Sequence, residues 1–284
     1  MPSRFAIVLL LVTAFVAPAA AAGAGPVSLM PGVTYTKTVE FTPHGAVVVH
    51  VLTAPRSGDE NGLYQLAPVL ARGVVGGLQR VTQLEKDASA TSTVAGINGD
   101  LFNVKDSHPA GVFVAGGVLV HPPSAGRSSI GIDSAGVVHV DRVKFFGTWK
   151  GTGQRRPLNG LNQVPAPGQV VLFTPAYGAR VPVVAGAAEV TLQPFPVSVP
   201  NADLSSTVTA VATGGGETIP ADGAVLMATG AVAPKLQAEA PAGTPVTSRL
   251  ILQPAWTGVT SALGGGPVLV RNGKAVFRSL EDFT

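Results

Sequence analysis

The sequence predicts an α+β protein that is β-rich, mainly antiparallel, and carries one clear amphipathic helix. Three observations predict it. First, 35 Gly and 24 Pro in 284 residues, with only 12% charged and 46% hydrophobic residues, describe many short elements joined by turns around a sizeable core. Second, short β-branched runs recur between Gly, Pro and Asp punctuation. Third, a helical period of three and four occurs clearly only once, and the prolines scattered from 165 to 254 exclude long helices there.

Taken in order, the chain opens with Met1–Arg4, one positive charge, followed by the apolar run FAIVLLLVTAFV over residues 5–16. Pro18 breaks that run, and Ala19–Ala22 supply the small residues that signal peptidase needs. Residues 1–22 therefore read as a secretory signal cut after Ala22; the alternative is an uncleaved anchor, for which the run is short. Residues 46–53 (AVVVHVLT) read as a strand ended by Pro55, and Ser57–Gly62 as a loop. Leu78, Val81, Leu84 and Ala88, with Gln79, Arg80, Gln83, Glu85 and Lys86 between them, predict the helix. The apolar run 94–97 suggests a short buried strand. Strands follow at 112–120, 128–133 and 137–144, with turns at Gly116-Gly117 and Asp133–Gly136. Residues 155–168 read as a Pro/Asn/Gly loop, and further strands at 169–173, 206–212, 224–228 and 246–252. Residues 23–284 are expected to form one domain, with 155–255 marked as a candidate insertion or second lobe.

Composition also excludes chemistry. With no Cys there is no disulfide framework, thiolate metal site or Cys nucleophile. A formal charge of +3, with scattered basic residues, does not describe a nucleic-acid-binding surface. No segment after the signal is long and apolar enough to suggest a stable membrane anchor, so a secreted or extracytoplasmic product is expected. Nucleophile-elbow, zincin and P-loop motifs are absent. Of the five His, His50 and His139 alternate with Val and read as solvent-facing strand positions, while His108 and His121 read as loop residues near the segment discussed next.

Two segments stand out. In 95–103 (AGINGDLFN) an apolar run ends in Asn98, Gly99 and Asp100, then Phe102. Polar groups at the end of a buried strand are costly unless paired, which makes Asn98 and Asp100 candidate site residues. An Asn-Gly turn is the structural alternative. In 262–274 (ALGGGPVLVRNGK) three glycines precede an apolar strand, and Asn272-Gly273 predicts a hairpin turn. Gly264, Gly265 and Gly266 could aim backbone N–H groups at an anion, or simply form a flexible lead-in to the strand.

Together with AGVFVAGGVLVHPP (110–123), SSIGIDSAGVVHV (128–140), LNGLNQ (158–163), VLFTPAYGA (171–179) and IPADGAVL (219–226), these segments resemble the phosphodiester glycosidase family. That family includes the N-acetylglucosamine-1-phosphodiester alpha-N-acetylglucosaminidase. The resemblance covers roughly residues 90–284, in the expected order. It departs in one respect: family members continue with an Arg-Thr-Ala-x-Gly and then an Asp-Gly-Gly-Gly-Ser segment, whereas this sequence ends at Phe283-Thr284. The expectation is a C-terminally truncated frame or a fragment, with turnover by the chain alone in question.

The resemblance implies a secreted hydrolase of sugar-1-phosphodiesters. Such a reaction passes through an oxocarbenium-like state stabilised by a carboxylate. Its leaving phosphate needs positive partners, backbone N–H groups or a cation. On that reading Asp100 is the site carboxylate, acting directly or through a bound cation. Asn98 orients sugar hydroxyls or holds Asp100. Gly99, Phe102, Gly264, Gly265 and Gly266 line the substrate. A divalent cation such as calcium is compatible; the sequence identifies no metal or cofactor. The expected partner is a sugar phosphate or a cell-surface glycan. The rival is a secreted, non-catalytic β-rich module binding such a glycan, against which stand 6% aromatics and the wide spacing of Trp149 and Trp256. A nonfunctional fragment is the third alternative.

Overall fold

The computed structural model describes residues 24–56, 64–88, 95–124 and 126–276. The signal segment and its cut after Ala22, the loop at Ser57–Gly62, Val94 and Phe283-Thr284 lie outside the described residues. The chain divides into two compact units, Met1–Arg56 and Ser57–Thr284. The described residues are β-rich and their sheets mainly antiparallel, as the composition predicts.

The first unit is a three-stranded meander of β1 (Ala24–Met30), β2 (Val33–Thr42) and β3 (Gly45–Thr53). β2 and β3 pair without a slip from Thr34↔Thr53 to Thr42↔Gly45. Only β3 was legible as a strand, because β1 and β2 intersperse Thr, Lys, Glu and Ser among their apolar residues. His50 is exposed on β3, as its alternation with Val predicts, and its Nδ1 lies 2.6 Å from the Tyr35 hydroxyl.

In the second unit a single 3-10 turn at Ala71–Gly73 precedes the predicted helix, α1 (Val81–Ala88), Leu78 lying before its first turn. The strands that follow are β4 (Phe113–Ala115), β5 (Val118–His121), β6 (Ser129–Asp133), β7 (Val138–Asp141), β8 (Lys144–Lys150), β9 (Arg156–Leu158), β10 (Gly160–Leu161), β11 (Val170–Phe173), β12 (Ala188–Leu192), β13 (Asp203–Thr213) and β14 (Ala224–Ala228). A short helix, α2 (Ala233–Glu239), carries Pro234 in its first turn, where the missing N–H costs nothing. β15 (Pro245–Gln253), β16 (Val259–Gly264) and the small hairpin β17 (Val270–Arg271) and β18 (Lys274–Ala275) complete the described chain.

Two sheets organise this unit. One has five strands in the order β5-β4-β16-β6-β7, and the other eight in the order β10-β11-β14-β12-β13-β15-β8-β9. Every strand of the larger sheet comes from the stretch between β7 and β16, so the five-stranded sheet is closed by two segments far apart in sequence. One hydrophobic core joins both: Val114, Leu119 and Ala262 belong to the same cluster as Trp149, Leu226 and Leu250. In the larger sheet β11, β12 and β14 are buried along their whole length, which explains the near-continuous apolar runs at 170–173 and 224–228.

Four sequence readings need correction. Residues 137–144 are not one strand: β7 ends at Asp141 and β8 begins at Lys144 in the other sheet, so the chain changes sheets at Arg142-Val143. The loop at 155–168 contains the short strands β9 and β10. Residues 95–99 form no strand, and Ile97 is 86% exposed, since no neighbouring strand among the described residues offers this backbone a ladder. The strand at the glycines is β16, which ends at Gly264; between Gly265 and the Asn272-Gly273 turn only Val270–Arg271 is in a ladder, with Leu269 and Val270 exposed.

Candidate functional site

Asp100 and the glycine segment meet, although more than 160 residues separate them in sequence. Asp100 follows the unpaired stretch 95–99, and its side chain is 6% exposed. A Cβ at Gly264 would lie 2.8 Å from the Asp100 Cγ and 3.0 Å from the Gly111 Cα. A Cβ at Gly111 would lie 2.8 Å from the Gly264 Cα and would also meet Asp100 Oδ2. The carboxylate thus occupies a cradle that exists because residues 111 and 264 have no side chains. Gly99 packs in the same way against Leu263, with a Cβ there 3.0 Å from Leu263 Cδ1.

The partner of Asp100 is Arg127. Its Nη1 donates to Asp100 Oδ2 at 3.2 Å, Nη2 donates to Oδ1, and Nη2 also donates to the Gly265 carbonyl at 2.9 Å. Two parallel N–H···O bonds of this kind form the strongest common side-chain pair. The Arg127 side chain is 10% exposed, and its Nε is buried without a hydrogen-bond partner. Sequence reasoning missed Arg127.

The same geometry revises what the glycines do. The N–H of Gly264 donates to Val112 O at 3.0 Å and that of Gly265 to Ser128 O at 2.8 Å. Both donors are spent on the sheet, so neither is aimed at an anion. Gly264 makes room for Asp100, and the Gly265 carbonyl receives Arg127. Gly266 is half-buried one residue further on. Asn98 is exposed and Phe102 is 48% exposed, and neither takes part in the contacts that hold Asp100.

One of the two histidines, His121, touches this cradle. His121 ends β5 rather than lying in a loop; it is buried, and its Nδ1 lies 2.8 Å from Gly111 O. Burial lowers its pKa, with the hydrogen bonds to the Gly111 and Pro122 backbone opposing. His108 sits in the turn closed by the Phe102↔Pro109 bridge. Its Nδ1 faces the Asp106 carbonyl at 3.1 Å, its ring packs 5.5 Å from that of Tyr177, and its Nε2 is buried without a hydrogen-bond partner. Burial raises the Tyr177 pKa, with Asp106 adding to it. His139, half-buried, bonds Asp133 across the predicted turn at 3.1 Å.

The three predicted Gly-containing turns are present, Gly136 of the Asp133–Gly136 turn having φ of 74°. Gly116 and Gly117 have φ of 58° and 78°, and Asn272 and Gly273 have 51° and 73°, the signature of type I′ turns. Among the described residues no group of three or more His, Asp or Glu side chains stands together in a way that could hold a metal ion.

A cleft of about 390 Å³ opens beside the cradle, lined by Ser128, Asp141, Arg142, Pro267, Val268 and Arg271. A second, largely apolar cleft of about 370 Å³ lies between α1 and the five-stranded sheet, against Leu84, Phe113 and Val120.

Solved structures share this fold. A hypothetical protein from Synechocystis superposes with a TM-score of 0.72 at 22% identity, over 89% of this chain and 46% of its own. A protein of Burkholderia pseudomallei K96243, named provisionally as exported, superposes with a TM-score of 0.58 at 18% identity, over 84% of this chain and 52% of its own. The chain therefore spans about half the length of each. No protein-family model matches the chain, and no curated protein is significantly similar to it.

Proposed function

We propose that this chain carries part of a sugar-1-phosphodiester hydrolase site of the phosphodiester glycosidase type, in an exported protein. The observation that supports the reading is the convergence of Asp100 with Gly264 and Gly265, the two segments whose motifs resemble that family. In such a site the carboxylate would face the sugar carbon as positive charge develops there. Arg127 would then hold Asp100 in place and oppose the negative charge left on the departing phosphate. Export accords with the apolar run and Ala19–Ala22, and with the exported character attributed to the Burkholderia protein. Because the chain spans about half of each solved structure, the activity belongs to the proposal for the whole protein.

One observation favours a second reading, a β-rich module that binds a glycan without cleaving it. Both Asp100 oxygens already accept from Arg127, and the cradle glycines close around them. A carboxylate so engaged would have to exchange a partner before acting on a substrate. The experiment is a release assay on an aryl-capped sugar-1-phosphodiester, using the protein in its full natural reading frame and the Asp100→Asn variant. Turnover that falls at least 100-fold in a folded Asp100→Asn protein supports the hydrolase. Saturable glycan binding with no turnover in the unmodified protein selects the second reading.

A further inference from the structure

We infer that the cleft between α1 and the five-stranded sheet is a binding site for an aliphatic carboxylate of medium chain length, its apolar chain seated in the cleft and its head on Arg72. The walls argue for the chain. Leu84 of α1, Phe113 and Ala115 of β4 and Val120 of β5 line a space of about 370 Å³ together with Leu70 and Ala176. That volume lies within the range of about 300–1,000 Å³ usual for small-molecule sites, whose walls are likewise mostly apolar.

The rim argues for the head. Three polar side chains reach the cleft: Arg72, Gln79 and Asp87. Gln79 and Asp87 are already engaged. Gln79 Nε2 donates to Asp87 Oδ2, Gln83 Nε2 donates to Asp87 Oδ1 at 2.8 Å, and Gln79 Oε1 accepts from the Arg72 backbone N–H at 3.2 Å. The Arg72 guanidinium is exposed and makes no hydrogen bond or ion pair among the described residues. Its donors are therefore the spare polar capacity of the rim. A guanidinium only donates, and its planar fork fits one carboxylate bidentately. A single such fork beside a paired Asp87 suits a monoanion better than a phosphate dianion.

The backbone holds Arg72 at this rim. Its φ is 55°, a left-handed value uncommon for a residue with a side chain. The Gly73 N–H donates to Leu70 O at 3.2 Å, the Val74 N–H to Ala71 O at 3.1 Å and the Val75 N–H to Ala176 O at 2.9 Å, so the turn is tied to the cleft lining on both sides. Strain that a fold retains points to function, here a cation set at the mouth of an apolar space. Asp100, Arg127 and the cradle glycines do not line this cleft, so the inference does not rest on the hydrolase reading.

The test is calorimetric titration of the natural protein with sodium octanoate at neutral pH, with hexanoate and octan-1-ol as comparisons, repeated on Arg72→Gln, Arg80→Gln and Ala115→Leu variants. Circular dichroism checks each fold. The expected result is saturable octanoate binding, about tenfold tighter than that of hexanoate because two more methylenes are buried. In Arg72→Gln it weakens about fivefold, the upper range for an exposed ion pair. It is unchanged in Arg80→Gln, whose side chain is not in the lining, and is lost in Ala115→Leu, which fills the cleft. Octan-1-ol binds more weakly and does not respond to Arg72→Gln. Arg72 is exposed, so its variant keeps the inference testable even if Ala115→Leu perturbs the fold. No saturable octanoate binding, equal affinity for hexanoate, or unchanged octanoate affinity in Arg72→Gln overturns the site.

Discussion

Asp100 and Gly264 share one space: the carboxyl group fills the volume that a side chain at Gly264 would need, with a Cβ there only 2.8 Å from Asp100 Cγ. Arg127 prevents the carboxylate from withdrawing. Gly264→Ala is therefore expected to cost ~1–3 kcal/mol, the usual range for overpacking. The cost should shrink sharply in an Asp100→Ala background, where the methyl group finds room. A double-mutant cycle by urea denaturation measures this. Equal costs in the two backgrounds would show that the residues do not compete.

The ion pair predicts a second, larger effect. Both side chains are mostly buried, so Arg127→Ala leaves a carboxylate without its donors. Breaking a buried pair from one side typically costs ~3–5 kcal/mol. The double variant Asp100→Asn/Arg127→Gln removes both charges and should lose clearly less than Arg127→Ala. Chemical denaturation compares them. A double variant as unstable as the single would mean that shape, rather than charge, holds this place together.

How far the sequence carried the structure follows from what each signal depends on. Turns with a local chemical cause were legible: Gly116-Gly117 and Asn272-Gly273 supply positive φ themselves. So were β11 and β14, where burial on both faces leaves an apolar run. β12 was not, because Glu189 and Thr191 interrupt its pattern while tertiary packing still buries the whole strand. The unpaired state of 95–99 depends on which strands surround it, which no local pattern reports. At the site, the motifs brought Asp100 and the glycines under suspicion. That the N–H groups of Gly264 and Gly265 serve the sheet was not legible, since a chain that permits close approach and one that donates N–H groups have the same composition. Arg127 left no pattern because its partner is remote in sequence.

Acid should weaken the protein through His121. Burial lowers its pKa in the folded state, so the folded protein binds fewer protons than the unfolded chain. Stability from this group is complete above the unfolded value of ~6.5 and falls as pH drops below it toward the lowered folded value. One such group contributes a slope of at most ~1.4 kcal/mol per pH unit. His121→Gln should flatten the stability profile between pH 7 and 5, as followed by thermal denaturation across that range. An unchanged slope would assign the acid sensitivity elsewhere.

Glu189 predicts the opposite sign. It lies in β12 with 1% exposure, and its Oε1 is buried without a hydrogen-bond partner. Burial raises its pKa, nearby Glu217 adds to the rise, and the backbone N–H groups of Glu217 and Gly215 oppose it. The folded protein therefore holds this proton more tightly than the unfolded chain does. The resulting stability is fully present below the unfolded value of ~4.3 and is lost as pH rises through the raised folded value. Glu189→Gln keeps an oxygen for the two N–H donors and cannot ionise. It should match or slightly trail the natural protein at pH 4.5 and exceed it at pH 8. The gain there should be of order 1 kcal/mol, because the buried carboxylate no longer has to be desolvated or reprotonated. Denaturation midpoints at the two pH values read the difference directly. A variant equally destabilised at both would mean that the acid's shape matters while its ionisation does not, and the charge argument for Glu189 would fail.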